Sequence, residues 1–338
     1  MSMTDSLEQW LPTAQNTQLA GKFLAESLYV QPVDILLSGD LGAGKTTFLQ
    51  GLAEGLGIAQ PLTSPTYALE QRYQTRASGE FLHLDLYRLE SRAADALAAG
   101  SDDHTGIRCI EWAERLTHRP EGPRILIELT EQGSGRLLRI HFEDAEIPPF
   151  TEVAAWREAV QCPSHIANHC HAVALCAMQL AASLLQQGRI VRCTALERAA
   201  ELHDLLRFLD FRDGAAPKGM VDAPETQESW RKWKERYPGR SHEEACAAFL
   251  RERHLPVIAR IVETHGLMLP PPVRTTIEQK ILFYADKRVT EDRIVSLDER
   301  FADFAKRYAN GTPTPEQKLW YEEAKETEHA LFPDGPPF

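Results

Sequence analysis

Residues 39–46 read GDLGAGKT and match the pattern G-x-x-x-x-G-K-[S/T]. An apolar run, ILL, precedes this segment and a helix-forming stretch, FLQGLAEGL, follows it, which is the context of a phosphate-binding loop. Its glycines allow backbone N–H groups to turn toward phosphate oxygens, and the start of the following helix favours an anion. In such loops the lysine, here Lys45, contacts the β- and γ-phosphates, and the hydroxyl of Thr46 ligates Mg²⁺. The segment therefore predicts a nucleotide site in an α/β domain.

The rest of the first half alternates short apolar runs with helical stretches. A helix is predicted over residues 17–28 and another after Gly44. The predicted strands are VDILLSG (33–39), FLHLDLY (81–87), IRCIEWA (107–113), PRILIEL (123–129) and RLLRIHF (136–142). This order is typical of a mostly parallel sheet flanked by helices. The last two strands, joined through EQGSG, are expected to form an antiparallel hairpin.

The character of the chain changes after EDAEIPPF (143–150), where acidic residues are followed by two prolines. Such a stretch predicts a linker. Beyond it nearly every segment has helical apolar spacing, including TALERAAELHDLLRFL (194–209), which is expected to be one helix with His203 and Asp204 in its middle. We expect an α/β domain over 1–146, a linker over 147–160, an all-α helical bundle over 161–325 and a loose tail over 326–338.

Bulk properties exclude several classes of protein. The 338 residues are 43% hydrophobic and 25% charged, with a net charge of −12, so direct binding to the phosphates of a nucleic acid is not expected. No apolar run approaches the length of a membrane span, and the N-terminus lacks the basic and apolar regions of a signal peptide, so a cytoplasmic location is expected. The six cysteines form no C-x-x-C pair and predict buried, reduced thiols.

Two carboxylates are candidates for the acid that assists the metal of a nucleotide site. Asp85 ends the apolar run FLHLD, and Glu111 ends the run RCIE. Side chains at the carboxyl ends of neighbouring strands can both reach a metal beside a phosphate-binding loop. A solvated acid that merely ends a strand is the alternative for each of them.

Four motifs in order carry a family resemblance: GDLGAGKTT (39–47), TSPTYAL (63–69), HLDLYRL (83–89) and IEWAERL (110–116). They resemble the TsaE (YjeE) family, the small ATPase of bacterial tRNA threonylcarbamoyladenosine (t6A) biosynthesis, over nearly all of residues 10–145. The resemblance implies that the chain binds ATP and Mg²⁺ and works with a TsaB/TsaD-type t6A transferase complex. It also implies that tRNA is involved only indirectly, through that complex.

The same resemblance implies roles for individual residues. Thr46 and Glu111 are expected to hold Mg²⁺, with Asp85 as the Walker-B-like acid and Lys45 as a catalytic residue. Ser64, Pro65 and Thr66 are expected to form a switch-like segment near the γ-phosphate, Thr17 to contact the nucleotide, and Trp112 follows the acid as in the family. The ATP-binding loop is expected to consist of Gly39, Asp40, Leu41, Gly42, Ala43, Gly44, Lys45, Thr46 and Thr47.

The helical half contains histidines and aspartates near the ends or inner faces of separate predicted helices. They are His169, the adjacent pair His203 and Asp204, His242, His265 and Asp286. Residues so dispersed converge only if the helices pack as a bundle. Imidazoles and carboxylates suit Fe, Mn, Co, Ni or Zn. The pattern therefore predicts a site for one or two divalent transition metals, and a bound metal would explain why two adjacent polar residues are buried.

The order H…HD…H…H…D resembles the HD-domain metal-dependent phosphohydrolase superfamily over roughly 160–310, most clearly in NHCHAVA, AAELHDLLR, SHEEACAAFL and FYADKRV. The resemblance implies that His169, His203, Asp204 and Asp286 are the core metal ligands. His242 and His265 would complete a second metal site. Asp204 would also help to activate a metal-coordinated water for attack on a small phosphorylated substrate, such as a nucleotide or a phosphomonoester. Candidate phosphate-binding residues are Arg207, Lys287 and Arg288.

The sequence thus predicts a bifunctional fusion of a P-loop ATPase with an HD-domain phosphohydrolase. Two alternatives stay open. The helical half could bind a ligand without turnover and regulate the ATPase. The first half could be a small-molecule kinase, which requires an acceptor site and usually a basic lid; no Arg-rich segment of that kind is evident, although Arg72, Arg76, Arg88 and Arg92 are available.

Overall fold

The computed structural model describes residues 3–65, 68–76, 79–211 and 224–338. The chain forms two compact units. The first consists of Thr4–Glu146 together with Leu185–Arg192, and the second is formed mainly by Ile147–Leu184 and Cys193–Phe338. In the described part of the chain, no helix is both long enough and apolar enough to cross a membrane.

A seven-stranded sheet organises the first unit. Its strands are Met3–Leu11 (β1), Val33–Ser38 (β2), Glu70–Gln74 (β3), Glu80–Asp85 (β4), Ile107–Glu111 (β5), Arg124–Gln132 (β6) and Gly135–Ile147 (β7), of which the last ends one residue beyond the unit. The strand order is β1-β7-β6-β2-β5-β4-β3. The four central strands pair in parallel, whereas β7 pairs antiparallel with β6 and β3 antiparallel with β4. The mostly parallel sheet and the β6–β7 hairpin agree with the sequence prediction.

Alternating residues of β2 show why the sheet is buried on both faces. Ile35 and Leu37 belong to one apolar cluster, and Leu36 belongs to the cluster on the opposite side. Period-two alternation in which both sets are apolar is typical of a central parallel strand covered on each face. The helices of this unit are Ala14–Leu24 (α1), Lys45–Gly55 (α2) and Ser91–Ala99 (α3).

Helices α1 and α2 approach each other closely through two glycines. A Cβ atom built on Gly21 would lie 1.9 Å from the carbonyl oxygen of Phe48, and one built on Gly51 would lie 1.7 Å from that of Gln18. No side chain fits at either position. The two glycines therefore set the distance between α1 and the helix that follows the phosphate-binding loop.

The segment Leu185–Arg192 belongs to the first unit because of a buried ion pair. The guanidinium of Arg192 donates to both carboxylate oxygens of Asp144, at 2.8 and 2.9 Å, and lies 3.3 Å from Asp5. Arg192 is 1% exposed. A buried charge requires such a partner, so the pair fixes this segment to the edge of the sheet.

The second unit is almost entirely helical. Two short strands, Val289–Thr290 (β8) and Arg293–Ile294 (β9), form an antiparallel pair. Its helices are Phe150–Ala159 (α4), Ser164–Gln186 (α5), Cys193–Leu202 (α6), Pro224–Arg236 (α7), His242–Arg251 (α8), Pro256–Val262 (α9), Ile277–Lys287 (α10), Leu297–Tyr308 (α11) and Pro315–Leu331 (α12), and the last residues of α5 belong to the first unit.

Three sequence expectations differ from this structure. Residues 147–160 are mostly the helix α4 rather than a linker: Pro149 precedes the first helical residue, where its missing N–H costs nothing, and Val153 is buried. The tail is not loose, because α12 continues to Leu331, and Leu331 and Phe332 are 1% and 2% exposed. The prolines in both places suggested a linker and a loose tail, and the apolar residues that pack there were not recognised.

The third difference concerns His203 and Asp204. Helix α6 ends at Leu202, and the pair lies in the turn between α6 and a short 3₁₀ helix, Arg207–Asp210. The sequence places helical spacing on both sides of this turn, which is why one continuous helix was expected.

Candidate nucleotide site and candidate metal centre

The phosphate-binding loop connects the end of β2 to the start of α2. Gly39, Gly42 and Gly44 have φ angles of 138°, 86° and 104°, a region open to glycine but costly for other residues. A Cβ atom on Gly39 would also lie 2.2 Å from the carbonyl oxygen of Leu129. Between the glycines, Asp40 accepts a hydrogen bond from Ala43 N–H, and the side chain of Leu41 is exposed.

The start of α2 provides free backbone donors. The first intrahelical bond runs from Phe48 N–H to the carbonyl of Gly44, at 2.8 Å. The N–H groups of the first three helical residues, Lys45, Thr46 and Thr47, therefore have no acceptor within the helix. Free donors at a helix start form an anion-binding site.

The ammonium group of Lys45 is held within the loop. Nζ donates to the carbonyl oxygens of Gly39 and Asp40, at 2.5 and 2.9 Å, and Lys45 is 4% exposed. Burial lowers the pKa of Lys45, and this effect is partly opposed by Glu111. The ammonium group of Lys45 is thus a largely desolvated cation beside the loop.

Thr46 and Glu111 meet beside the loop. The Thr46 hydroxyl donates to the Glu111 carboxylate, with both carboxylate oxygens 2.9 Å away. Glu111 is 2% exposed, and Nε2 of the buried His83 lies 2.9 Å from its Oε1. Hydroxyl and carboxylate oxygens are the donors that Mg²⁺ prefers, so these two residues fit a magnesium ion. His83 was missed from the sequence, although it stands two residues before Asp85 on the same strand.

Asp85 lies directly beside Glu111. The two residues are register partners at the ends of the parallel strands β4 and β5. Asp85 accepts hydrogen bonds from the Ser64 hydroxyl and from Tyr87 N–H, both at 2.9 Å. Ser64 thereby links the expected switch-like segment to this acid. Pro65 is described, whereas Thr66 lies outside the described residues.

Thr17 and Trp112 both lie beside the loop. Thr17 is fully buried on α1, and its Cγ2 would lie 3.3 Å from a Cβ atom on Gly44. The backbone of Trp112 is left-handed, with φ of 62°, and its ring lies 4.8 Å from that of Tyr87. Thr17, Trp112 and Glu111 therefore lie beside the loop, and Asp85 lies next to Glu111.

In the helical unit, the turn after α6 directs His203 and Asp204 to one place. Nδ1 of His203 lies 2.7 Å from the carbonyl oxygen of Ala200, and Arg207 N–H closes the turn onto the carbonyl of Asp204 at 2.9 Å. Adjacent residues of a continuous helix point about 100° apart. Ending the helix at Leu202 removes that restriction.

Among the described residues, three groups of side chains bring potential ligand atoms within 4.8 Å of one another. They are His169, His203 and Asp286; His203, Asp204 and His265; and His242, Glu243 and His265. Asp204 is central, because its Oδ1 lies 3.0 Å from Nε2 of His242 and 3.3 Å from Nε2 of His265. The structure thus brings all six predicted ligands together.

Backbone carbonyls orient two of the imidazoles. Nδ1 of His265 lies 2.7 Å from the carbonyl oxygen of Val262, as Nδ1 of His203 does from that of Ala200. Such a bond fixes the tautomer and leaves Nε2 available as a ligand. Nε2 of His203 is buried and has no hydrogen-bond partner among the described residues. A buried polar atom without a partner is rare, and a metal ion would satisfy it.

Burial and neighbouring charges shift the pKa values of these histidines and aspartates in different directions. Burial lowers the pKa of His203 to about 4, opposed by Asp204, so this imidazole is neutral. Burial also acts to lower the pKa of His242, but Asp204 and Asp210 outweigh it and raise that pKa to about 9. Although burial opposes the shift, neighbouring histidines hold the pKa of Asp204 well below its usual range, and Lys287 and His169 do the same for Asp286.

Two acids of this group were missed from the sequence. Glu243 follows His242 at the start of α8, and Asp210 accepts from Nδ1 of His242 at 2.6 Å. The only sequence features that could have indicated them are the two acids in HEE and the acid three residues after Arg207. Neither feature by itself predicts a metal ligand.

The predicted phosphate-binding residues differ in their availability. Arg207 is half-exposed and its Nη1 lies 2.8 Å from Nδ1 of His242, at the edge of the group. Lys287 is buried and donates to Asp286 and to the carbonyl of His265. Arg288 does not fit the expectation, because its buried guanidinium already donates to Val295 O, to the Tyr284 hydroxyl and to Phe338 O.

Comparisons with known proteins match the first unit. The family model for "Threonylcarbamoyl adenosine biosynthesis protein TsaE" matches residues 11–138. Among curated proteins, the tRNA threonylcarbamoyladenosine biosynthesis protein TsaE of Nostoc sp. is 38% identical over 156 residues, which span 44% of this chain and 90% of that protein. The protein of the same name from Synechocystis sp. is 40% identical over 121 residues, spanning 34% of this chain and 76% of the relative.

Among solved structures, the crystal structure of Bacillus subtilis YdiB is 28% identical and aligns with 42% of this chain and 88% of that one, with a TM-score of 0.34. The relative from Nostoc is matched over nearly its whole length, and the family model covers the loop, both acids and the sheet between them. The chain belongs to the TsaE family.

Proposed function

We propose that the first unit binds and hydrolyses ATP with Mg²⁺ as a component of tRNA t6A biosynthesis. The biological process is inferred from the names of the relatives. The observation that carries the chemistry is the contact between the Thr46 hydroxyl and the Glu111 carboxylate at 2.9 Å, beside Lys45 and next to Asp85. These oxygens fit Mg²⁺, which when bound neutralises the charge of the phosphates.

In this proposal each residue of the nucleotide site has a defined role. Backbone N–H groups of the loop and Lys45 bind the phosphates, Thr46 and Glu111 hold the ion, and Asp85 positions the Ser64 segment. In hydrolysis a water oxygen bonds to the γ-phosphorus and the bond to the β-phosphate oxygen breaks, which yields ADP and phosphate. The partner proposed from the family is a TsaB/TsaD-type transferase complex, and the net charge of −12 agrees with an indirect relation to tRNA.

The test is phosphate release from Mg-ATP by the full chain, compared with Lys45→Ala. Lys22→Ala is a matched control, because Lys22 is an exposed lysine on α1 paired with Glu54. We expect turnover and ATP binding to be lost in Lys45→Ala and kept in Lys22→Ala. Normal hydrolysis by Lys45→Ala would contradict the proposal. A phosphorylated acceptor in place of free phosphate would identify a small-molecule kinase instead.

We further propose that the second unit is a metal-dependent phosphohydrolase that acts on a nucleotide or a phosphomonoester. The supporting observation is Nε2 of His203, which is buried, has no hydrogen-bond partner among the described residues and lies among two imidazoles and two carboxylates. A divalent transition metal bound there would act as a Lewis acid toward a phosphate oxygen. Arg207, half-exposed at the edge of the group, is the side chain best placed to bind a substrate phosphate.

The test uses the full chain with Lys45→Ala, so that phosphate from the first unit does not interfere. Bound metal is measured first, and phosphate release is then screened over nucleotides and phosphomonoesters with Mn²⁺, Co²⁺ or Ni²⁺. Release that disappears when Asp204→Ala is added supports hydrolysis. Bound metal with a ligand recovered unchanged supports a sensing module, and absence of bound metal contradicts a metal centre.

A further inference from the structure

Arg136 stands beside the phosphate-binding loop, although no motif includes it. It is the second residue of β7 and the register partner of Glu131 on β6. Its Nη2 donates to the carbonyl oxygen of Gly42 at 3.4 Å, and its Nε would lie 3.1 Å from a Cβ atom on Gly44. The strand therefore brings a guanidinium to the glycine that precedes Lys45.

The guanidinium of Arg136 has hydrogen-bonding capacity that no described residue uses. Its Nε is buried without a partner, and it forms no ion pair with the residues that the structure describes. Arg139, three residues along the same strand, is by contrast paired with Glu8 at 2.8 Å and Glu128 at 3.5 Å. Leaving a buried charged donor unpaired is costly, so an acceptor from outside the protein chain is expected.

We propose that Arg136 binds the phosphate chain of the nucleotide, as a second cation supplied from β7 in addition to Lys45. This inference rests on the proposed function of the first unit. An arginine presents its donors in a planar fork that matches phosphate oxygens. Arg136 and Thr17 both approach Gly44, so both would lie beside a nucleotide bound at this loop.

The experiment is calorimetric titration of the full chain with ATP and with ADP. The variants are Arg136→Gln, which removes the charge, and Arg136→Lys, which keeps it. Arg139→Gln is the matched control, because it makes the same change on the same strand at a residue whose partners are Glu8 and Glu128. Thermal unfolding of each variant without nucleotide reports any structural role.

We expect Arg136→Gln to bind ATP and ADP about tenfold more weakly or worse, as the loss of a charged hydrogen bond predicts. Arg136→Lys should recover part of that loss, and Arg139→Gln should match the wild type. Equal affinity of Arg136→Gln and the wild type would overturn the inference while the proposed function stands. Equal losses in both Arg136 variants, accompanied by lower unfolding temperatures, would also overturn it. A wild-type chain that binds no ATP would instead refute the proposed function itself.

Discussion

The ammonium group of Lys45 lies 3.7 Å from the centroid of the Trp112 ring. The left-handed backbone of Trp112 turns this ring toward the loop immediately after Glu111. A cation over an indole face is held by the electrostatic attraction of the ring. The ring therefore reports directly on the position of the lysine that is expected to contact the phosphates.

The first prediction is a change in tryptophan emission when a nucleotide binds. Phosphates would compete with Trp112 and with the carbonyls of Gly39 and Asp40 for the ammonium group, because an anion attracts it more strongly than a ring does. Titrating ADP while recording emission at fixed excitation measures this. The chain has six tryptophans, so Trp112→Phe is the control. A full signal in that variant would show that another tryptophan responds.

The second prediction concerns the link between Glu111 and the metal. Glu111→Gln keeps the size of the side chain but removes its charge, so we expect the Mg²⁺ dependence of ATP binding to be largely lost while Mg²⁺-free binding persists. The neutral amide is a weaker ligand for a hard cation. Binding is measured by titration with and without Mg²⁺. An unchanged Mg²⁺ dependence in Glu111→Gln would remove Glu111 from the ion site.

The third prediction tests the close contact of α1 with α2. Gly51→Ala places a Cβ atom 1.7 Å from the carbonyl oxygen of Gln18, so the helices must separate. Overpacking of this kind costs about 1–3 kcal/mol or more, and we expect a lower unfolding temperature in calorimetry. Gly100→Ala is the control, since its φ is −65° and its nearest neighbours are 3.4 Å away. Similar unfolding temperatures for the two variants would contradict the contact.

The fourth prediction follows from four buried cysteines and the half-buried Cys162. Burial raises the pKa of Cys162 to about 11 and that of Cys176 to about 12, and it raises those of Cys109, Cys170 and Cys246 well above the usual range. Because the thiolate is the reactive form, these five should alkylate slowly at about pH 8, the ordinary thiol range, and rapidly in concentrated urea. Mass spectrometry counts the labels.

The raised pKa values of these thiols also determine whether stability rises or falls with pH. The folded chain keeps thiol protons that the unfolded chain loses above about pH 8.5. Unfolding therefore becomes more favourable as pH rises through that value. Rapid labelling of the five thiols in the folded chain at pH 8 would show that they are accessible and would contradict both statements.

Local sequence patterns identified the phosphate-binding loop and five strands of the first unit, whereas β1 and β3 were not predicted. The strand, loop and helix around Lys45 are contiguous in sequence, and the acids Asp85 and Glu111 each end an apolar run, so parallel pairing alone makes them neighbours. The contributions of His83 and Arg136 were not predictable in this way. The contact of His83 with Glu111 depends on the register of β4 and β5, and the approach of Arg136 to the loop depends on the path of β7. No short motif encodes either feature.

The helical unit shows a different limit. Its predicted ligands were recognised by their order, but the break of α6 at Leu202 was not, because the residues on both sides of the turn have good helical spacing. The turn is specified by tertiary contacts, among them the bond from Leu206 N–H to the sulfur of Cys246 at 3.3 Å. Helix α4 was likewise not predicted, because the two prolines before it suggested a linker.

The last prediction concerns the metal centre. His203→Ala removes the only imidazole shared by the group with His169 and Asp286 and the group with Asp204 and His265. We expect the metal content of the purified full chain to fall by tenfold or more, on the order of what loss of a supporting residue already costs. Metal content is measured by mass spectrometry of the acid-digested protein.

His171→Ala is the matched control for that experiment. His171 lies on α5, as His169 does, but its ring is 64% exposed and pairs with Glu201 at 2.9 Å. It should therefore leave the metal content unchanged. Because His203 is fully buried, a second variant, His203→Gln, separates loss of the ligand from loss of packing: it fills more of the space than alanine and still offers no imidazole. Normal metal content in a folded His203→Gln chain would mean that Nε2 of His203 is not a metal ligand.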